Sequence, residues 1–207
     1  MAERLFIFKR FERFWHWSQA ILIITMMITG FEIHGAYRLF GFGQAVVVHT
    51  SAAWALLTIW AFAIVWQFTT GEWKQYLPTF KRVDVMIKYY AWDIFSGAAH
   101  PYHKSLTQKH NPLQRLAYLA FLAFMSPIVW GSGLLYLFYG DWHFLGIDHF
   151  LSLQYVAFAH VVGAYFVLIF FIVHVYLAMS GPKEHLRAMI TGWEEIHSPE
   201  ATDASSH

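Results

Sequence analysis

Four apolar runs of membrane-spanning length dominate this sequence. They cover residues 14–33, 44–68, 113–138 and 153–179. A helix rises about 1.5 Å per residue, so each run is long enough to cross the roughly 30 Å hydrocarbon core of a bilayer. With 57% hydrophobic and 13% charged residues, the 207-residue chain is too apolar for an ordinary soluble domain. The sequence therefore predicts an all-α fold, an integral membrane bundle of four helices.

The basic residues predict the orientation of this bundle. Of the 14 Lys and Arg residues, 13 lie before the first run, between the second run and the start of the third, where Arg115 lies, or after the fourth, and only Arg38 lies in the other two connections. Connections that are rich in Lys and Arg stay in the cytoplasm. Both termini and the long connection, residues 69–112, are therefore expected on the cytoplasmic side.

The segments outside the four runs indicate one domain. We expect a membrane domain over residues 1–192 and a C-terminal tail over residues 193–207, which ends in the polar stretch SPEATDASSH. In the long connection, apolar residues recur at helical spacing through KRVDVMIKYYAWDIF, with Lys81, Arg82 and Lys88 on the other side. This pattern predicts a cytoplasmic amphipathic helix between helices 2 and 3, either on the inner leaflet or packed against the bundle ends or a partner.

Four histidines lie inside the apolar runs, where a charged side chain costs roughly 2.5 kcal/mol or more. With the orientation set by charge, His16 and His174 lie toward the cytoplasmic side, and His49 and His160 lie toward the outer side. The two histidines of the last run are 14 residues apart. That separation is about 21 Å and close to four turns, so both imidazoles leave the same helix face. The four histidines form two pairs of equal depth.

Two neutral imidazoles from different helices at one depth are suitable axial ligands for a haem. The pairs therefore predict two haems b, an outer one on His49 and His160 and an inner one on His16 and His174. Covalent attachment is excluded because the chain has no cysteine, and any iron-sulfur cluster must belong to another chain. Two alternatives remain open: a haem-free transporter or channel that uses the histidines as proton relays or ion ligands, and a structural anchor.

The stretches RFERFWHWSQAILIITMMITG, VVVHTSAAW, HNPLQRLAYLAF and HVVGAYFVLIFFIVH resemble the dihaem cytochrome b family. That family includes the gamma subunit of respiratory formate dehydrogenase and the b-type subunits of nickel-iron hydrogenases and thiosulfate reductases. The resemblance implies a membrane anchor in the prokaryotic cytoplasmic (inner) membrane that moves electrons between the quinone pool and an outer-side, periplasmic redox partner. The partner would be an iron-sulfur protein, a molybdopterin enzyme, a hydrogenase or a multihaem cytochrome, and it would hold the substrate chemistry. Membrane lipid is an expected partner and nucleic acid is not.

The resemblance also implies a site for a quinone, menaquinone or ubiquinone, beside the inner haem. The matching residues in the loop QKHNPLQRLAY are Asn111, Gln114 and the ligand His174. Amide groups can donate hydrogen bonds to a quinone carbonyl. The residues alone leave another interpretation open, because Asn before Pro112 is a common helix N-cap. Whether the chain is itself an enzyme is not decided by these motifs.

Two further features concern the third helix and the loop after it. Pro127 and the GSG at 131–133 are expected to bend or loosen the helix. The following loop holds Asp141, His143, Asp148 and His149, a set that either remains solvated or binds a metal.

Overall fold

The structure is a computed structural model that describes residues 3–98, 101, 109–181 and 183–196. Within these ranges it contains two β-strands, β1 Glu3–Phe6 and β2 Trp193–Ile196. The α-helices of the same ranges are α1 Arg10–Ile33, α2 Phe42–Thr70, α3 Val83–Ala91, α4 Pro112–Ala120, α5 Ser126–Leu137, α6 Trp142–Leu145, α7 Leu153–Ser180 and α8 Lys183–Thr191.

Four helical stretches are long and apolar enough to cross a membrane: α1, α2, α4 continued by α5, and α7. They coincide with the four apolar runs, so the predicted number of membrane helices is confirmed. Large apolar side chains such as Phe62, Phe124 and Phe158 are exposed on them, as expected of residues that contact lipid. A helix, α3, lies in the long connection, and its amphipathic role stays a prediction. Its position on the inner leaflet and the cytoplasmic location of both termini stay predictions.

The chain divides into two compact units, and the first comprises residues 1–75, 99–109 and 178–207. Within it, α1 and α2 run antiparallel. Phe11 near the start of α1 packs on Trp66 near the end of α2, with ring centroids 4.8 Å apart. At the other end, Thr29 of α1 contacts His49 of α2.

The first unit also holds a small sheet outside the membrane helices. Strands β1 and β2 pair antiparallel, with Glu3 opposite Ile196 and Phe6 opposite Trp193. Ile7, which follows β1, and Ala188 of α8 are both buried and belong to one hydrophobic cluster. The first residues of the predicted tail therefore form a strand, and residues 197–207 lie outside the described part of the chain.

The second unit comprises residues 76–98 and 110–177. In it, the third membrane helix changes geometry at a π-helical turn, Phe121–Met125, directly before Pro127. Proline lacks an N–H and clashes with the carbonyl four residues earlier, and a wider turn accommodates both effects. The helix then continues unbroken through the GSG at 131–133. A Cβ at Gly163 of α7 would lie 2.6 Å from Val129 Cγ2, so this glycine allows α7 to pack closely on α5.

Candidate functional site

We keep the predicted labels outer-side, for His49 and His160, and inner-side, for His16 and His174. In the first unit, the outer-side histidine is held by a hydroxyl group of the neighbouring helix. His49 Nδ1 lies 3.0 Å from Thr29 Oγ1. The Thr29 hydroxyl donates its own hydrogen to the Thr25 carbonyl at 2.8 Å, so it accepts from the ring. Nδ1 therefore carries the proton and Nε2 carries the lone pair of the neutral imidazole.

The outer-side histidine of the second unit is held in the same way. His160 Nδ1 lies 3.0 Å from Ser132 Oγ and 3.2 Å from the Val129 carbonyl oxygen, both on α5. A carbonyl can only accept, so Nδ1 is the protonated nitrogen here as well. Ser132 in turn donates to the Ile128 carbonyl. His160 thus has the same tautomer as His49, with the lone pair on Nε2.

A glycine follows each of these hydroxyl residues and lies against the histidine ring. A Cβ at Gly30 would be 3.3 Å from His49 Cε1, and one at Gly133 would be 3.2 Å from His160 Cε1. We call Thr29–Gly30 and Ser132–Gly133 the hydroxyl–glycine pairs. The hydroxyl fixes the tautomer, and the glycine lets the ring lie close to the helix backbone. The sequence pointed to Ser132–Gly133 only as part of the GSG expected to bend or loosen the third helix, and it did not point to Thr29–Gly30.

The two inner-side histidines contact aromatic rings. In the first unit, the His16 ring lies edge-on to Trp17 with centroids 5.1 Å apart. In the second unit, His174 stacks on Phe170 at 5.9 Å with an interplanar angle of 12°. His16 precedes Thr29, the partner of His49, by 13 residues, or about 20 Å along α1. Within each unit, therefore, the two imidazoles lie at different levels along the helices.

This chemistry fits a haem with two axial histidines. Both outer-side rings hold Nδ1–H toward an acceptor and carry the coordinating lone pair on Nε2, the arrangement typical of metal-bound histidine. The predicted partners, however, belong to different units, because His16 and His49 lie in the first and His160 and His174 in the second. The pairing of His49 with His160 and of His16 with His174 stays a prediction.

The two predicted quinone residues lie together at the start of α4 and form a capping box. Asn111 Oδ1 accepts from the Gln114 N–H at 2.8 Å, and Gln114 Oε1 accepts from the Asn111 N–H at 3.0 Å. The capping interpretation is therefore correct. It does not exclude a binding role, because the cap uses the side-chain oxygens and both NH₂ groups are donors.

A tyrosine of α3 joins this group. Asn111 Nδ2 donates to the Tyr90 hydroxyl oxygen at 3.1 Å. Burial raises the pKa of Tyr90, although the hydrogen bond from Asn111 acts in the opposite direction. The phenol therefore keeps its proton at neutral pH and can itself donate. Sequence reasoning missed Tyr90 because it lies 21 positions from Asn111 and is connected to it only by the fold.

Four charged residues of the first unit form a second polar group, which we call the ionic cluster: Lys9, Glu12, Glu72 and Lys109. Lys109 is 3% exposed, and its Nζ lies 2.9 Å from both Glu12 Oε1 and Glu72 Oε2. Lys9 Nζ lies 2.6 Å from the other oxygen of Glu72. Burial favours a higher pKa of Glu72, but the hydrogen bonds from Lys9 and Lys109 outweigh it and lower that pKa. Both lysines are neutralised by carboxylates.

The acidic loop after α5 contains one ion pair. His143 Nδ1 lies 2.9 Å from Asp148 Oδ2, and this hydrogen bond lowers the pKa of Asp148. Across residues 3–98, 101, 109–181 and 183–196, no three His, Asp or Glu side chains are arranged to hold a metal ion. The loop therefore offers no support for the metal alternative.

Comparison with known proteins gives a consistent result. The sequence model of the family described as prokaryotic cytochrome b561 matches residues 7–192. The Escherichia coli (strain K12) protein YdhU, whose name describes a cytochrome, is 27% identical over 206 residues, covering 93% of this chain and 75% of YdhU. A Cupriavidus necator protein, named as a Ni/Fe-hydrogenase B-type cytochrome subunit, is 27% identical over 210 residues, covering 87% of this chain and 83% of the relative. No solved structure matches the chain significantly.

Proposed function

The chain belongs to the prokaryotic cytochrome b561 family, and from this premise we propose that it carries electrons through two b-type haems between the quinone pool and an outer-side redox subunit. The family and the four apolar helices make it an integral membrane cytochrome b with an electron-transfer role. The resemblance inferred from the histidine-bearing stretches is thereby confirmed. The number of haems, their ligands, the quinone site and the partner are the proposal.

The matching tautomers of His49 and His160 carry the proposal. Each of these rings has its Nδ1–H fixed by a hydroxyl on a neighbouring helix, which keeps Nε2 as the coordinating nitrogen. We assign this pair to the outer haem, and His16 with His174 to the inner one, on the depth argument. Bound haem supplies an iron centre that accepts and gives up one electron at a time.

Substitution of single histidines tests this assignment. His49→Ala or His160→Ala should remove chiefly the outer haem, and His16→Ala or His174→Ala chiefly the inner one, because each change deletes one of two axial ligands. Haem content and reduced-minus-oxidised spectra of the purified variants provide the measurement. His143→Ala, in the exposed loop, is the control and should keep both haems. Loss of the same haem in His16→Ala and His160→Ala would contradict the assignment.

We place the quinone at the start of α4, on the face that the charge pattern assigns to the cytoplasm. Reduction of a quinone consumes two protons, so its head group needs donors that communicate with water. The NH₂ groups of Asn111 and Gln114 and the phenol of Tyr90 can donate hydrogen bonds to a quinone carbonyl, and all three belong to one unit. His174, from the same unit, lies six residues before the end of α7, about 9 Å along its axis. In this arrangement the polar group would bind the quinone carbonyl on the side of the membrane where His174 would hold the inner haem.

Two variants that preserve the helix cap test the quinone site. Asn111→Ser and Gln114→Glu keep a side-chain oxygen for the cap but lose the NH₂ group. Both should weaken inhibition by quinone analogues and slow quinone-linked turnover, with both haem spectra intact. Asn111→Ala should add a loss of about 1 kcal/mol of stability, because the cap is also removed. A quinone analogue bound at the level of His49 and His160, with both cap-preserving variants kinetically silent, would place the site on the other side.

The redox partner is proposed from a relative. The Cupriavidus necator protein is named as a subunit of a hydrogenase. We extend a subunit role to this chain, with the partner on the outer side and responsible for the substrate chemistry. The partner classes remain those implied by the resemblance: an iron-sulfur protein, a molybdopterin enzyme, a hydrogenase or a multihaem cytochrome. We expect the membrane-extracted chain to co-purify with such a subunit. This co-purification should be lost when the outer connections are altered.

A further inference from the structure

We infer that Thr29 and Ser132 are positioning residues that lower the midpoint potential of the outer haem by accepting hydrogen bonds from its two axial histidines. This inference rests on the proposed function, since it requires that His49 and His160 bind haem iron. It concerns residues that are not ligands. Thr29 lies in no motif that the sequence pointed to, and Ser132 belongs to the GSG that was expected only to bend or loosen the third helix.

The geometry is the same in two separate units. Thr29 Oγ1 lies 3.0 Å from His49 Nδ1 across the α1–α2 contact, and Ser132 Oγ lies 3.0 Å from His160 Nδ1 across the α5–α7 contact. In both cases the hydroxyl hydrogen is directed to a carbonyl of its own helix, that of Thr25 or Ile128. Each hydroxyl therefore acts as an acceptor toward the ring. Thr29 is fully buried, so water does not compete for this hydrogen bond.

The glycines make the contact close and directional. At Gly30 and Gly133 an added Cβ would lie 3.3 and 3.2 Å from the Cε1 atom of the histidine. Such distances are at the lower limit of van der Waals contact, so each ring rests on the helix backbone beside its hydroxyl. The ring cannot rotate far without losing either the hydrogen bond or the packing. Both the tautomer and the ring plane are thus set by the neighbouring helix.

An acceptor at Nδ1–H changes the electronic properties of the ligand. Polarisation of the N–H bond raises the electron density of the ring and makes Nε2 a stronger donor to the iron. A stronger donor stabilises ferric iron more than ferrous iron, and therefore lowers the midpoint potential. Two such hydrogen bonds, one on each axial ligand, act in the same direction on one haem. Removing either acceptor should raise the potential of that haem.

Redox titration of the purified full-length chain, followed at the haem α-bands and by EPR of the ferric haems, tests the inference. The variants are Thr29→Val and Ser132→Ala, which delete the acceptors. Thr50→Val is the matched control, because that hydroxyl lies next to His49 in sequence but donates to the Val46 carbonyl. Thr29→Ser restores a hydroxyl and serves as the rescue variant.

Both deletions should raise the midpoint potential of the same haem and shift its ferric EPR signal, and leave the other haem unchanged. The Ser132→Ala shift should be partial, since the Val129 carbonyl still accepts from His160. Thr50→Val and Thr29→Ser should match the unaltered chain. If Thr29→Val loses haem, the inference is still tested by the midpoint potentials of Ser132→Ala, which should be raised, and of Thr29→Ser, which should be unchanged.

If the haem-loaded variants keep the midpoint potential of the unaltered chain, or if Thr50→Val shows an equal shift, the inference is overturned. The proposed function is not. Shifts in two different haems would overturn the pairing of His49 with His160. A purified chain without haem would overturn the proposed function, and the inference with it.

Discussion

Lys109 shows, at the scale of one residue, how a charge that looks topogenic in the sequence is used inside the fold. It counts among the basic residues that predict the orientation, yet its ammonium group is buried between the carboxylates of Glu12 and Glu72. A buried lysine of this kind is tolerated only while its partners stay ionised. The ionic cluster therefore connects the segment before α4 to α1 and to the residue that follows α2 by two positions.

Lys109→Met should destabilise the protein by about 3 kcal/mol, because it leaves two buried carboxylates facing one another without their shared cation. Lys88→Met is the control: its side chain is 74% exposed and its Nζ lies 4.0 Å from Asp93, so we expect a change within about 0.5 kcal/mol. Thermal denaturation in detergent, followed by circular dichroism, compares the two. Equal stability of both variants would show that the cluster contributes nothing.

The same cluster should make stability fall in acid. The folded-state pKa of Glu72 lies below its ordinary value of 4.5, because Lys9 and Lys109 donate to it. A lowered carboxylate pKa stabilises the fold fully above the ordinary value, and this stabilisation is lost as pH falls through the folded value. Unfolding midpoints measured below pH 4.5 should therefore drop less in Glu72→Gln than in the unaltered chain. An identical acid dependence in both would contradict this role.

A sequence can indicate a functional residue when the position of that residue along the chain is informative by itself. The four histidines are recognisable because each imidazole lies in an apolar run at a depth that helical rise and charge define. Thr29 and Ser132 are not, because they contact histidines 20 and 28 positions away, and only tertiary packing brings them together. The cap formed by Asn111 and Gln114 involves residues that are close in sequence, and the sequence pattern therefore indicates a cap at this position.

At the scale of elements, the long helices follow from apolar length, whereas their ends follow from local polar contacts. The first apolar run begins at residue 14, but α1 begins at Arg10, because Glu12 accepts from the backbone N–H of Lys9 at 2.6 Å. The π-helical turn before Pro127 was not predicted as such. A proline indicates that the helix is disturbed, but it does not indicate which helical geometry results.

The connection between α1 and α2 depends on one carboxylate. Glu32 Oε1 accepts from the backbone N–H groups of Leu39, Phe40 and Gly41 at 2.8, 2.7 and 2.6 Å. Glu32→Ala would leave three donors without this acceptor, and we expect a loss of about 2 kcal/mol or more. Glu184→Ala, at an exposed position on α8, is the control and should be nearly neutral. If thermal denaturation gives both variants an unfolding midpoint close to that of the unaltered chain, water replaces the Glu32 carboxylate as the acceptor.

At the scale of the whole molecule, each of the two units contains two of the four membrane histidines, His16 and His49 in the first and His160 and His174 in the second. The proposed pairing takes one ligand of each haem from each unit. The apolar runs were sufficient to predict the four membrane helices. The inner and outer levels of the histidines, which rest on the charge asymmetry, stay a prediction. The apolar runs and the charge asymmetry could not predict the two units, because division of the chain depends on packing between distant helices.

The most direct measurement of the central claim is the haem content of the purified full-length chain. Reduced-minus-oxidised spectra, with haem quantified as the pyridine haemochrome, give the amount and type of haem per polypeptide. We expect two haems b per chain, released by acidified organic solvent because no cysteine is present to attach them. One haem per chain, or none, in a well-folded preparation would contradict it.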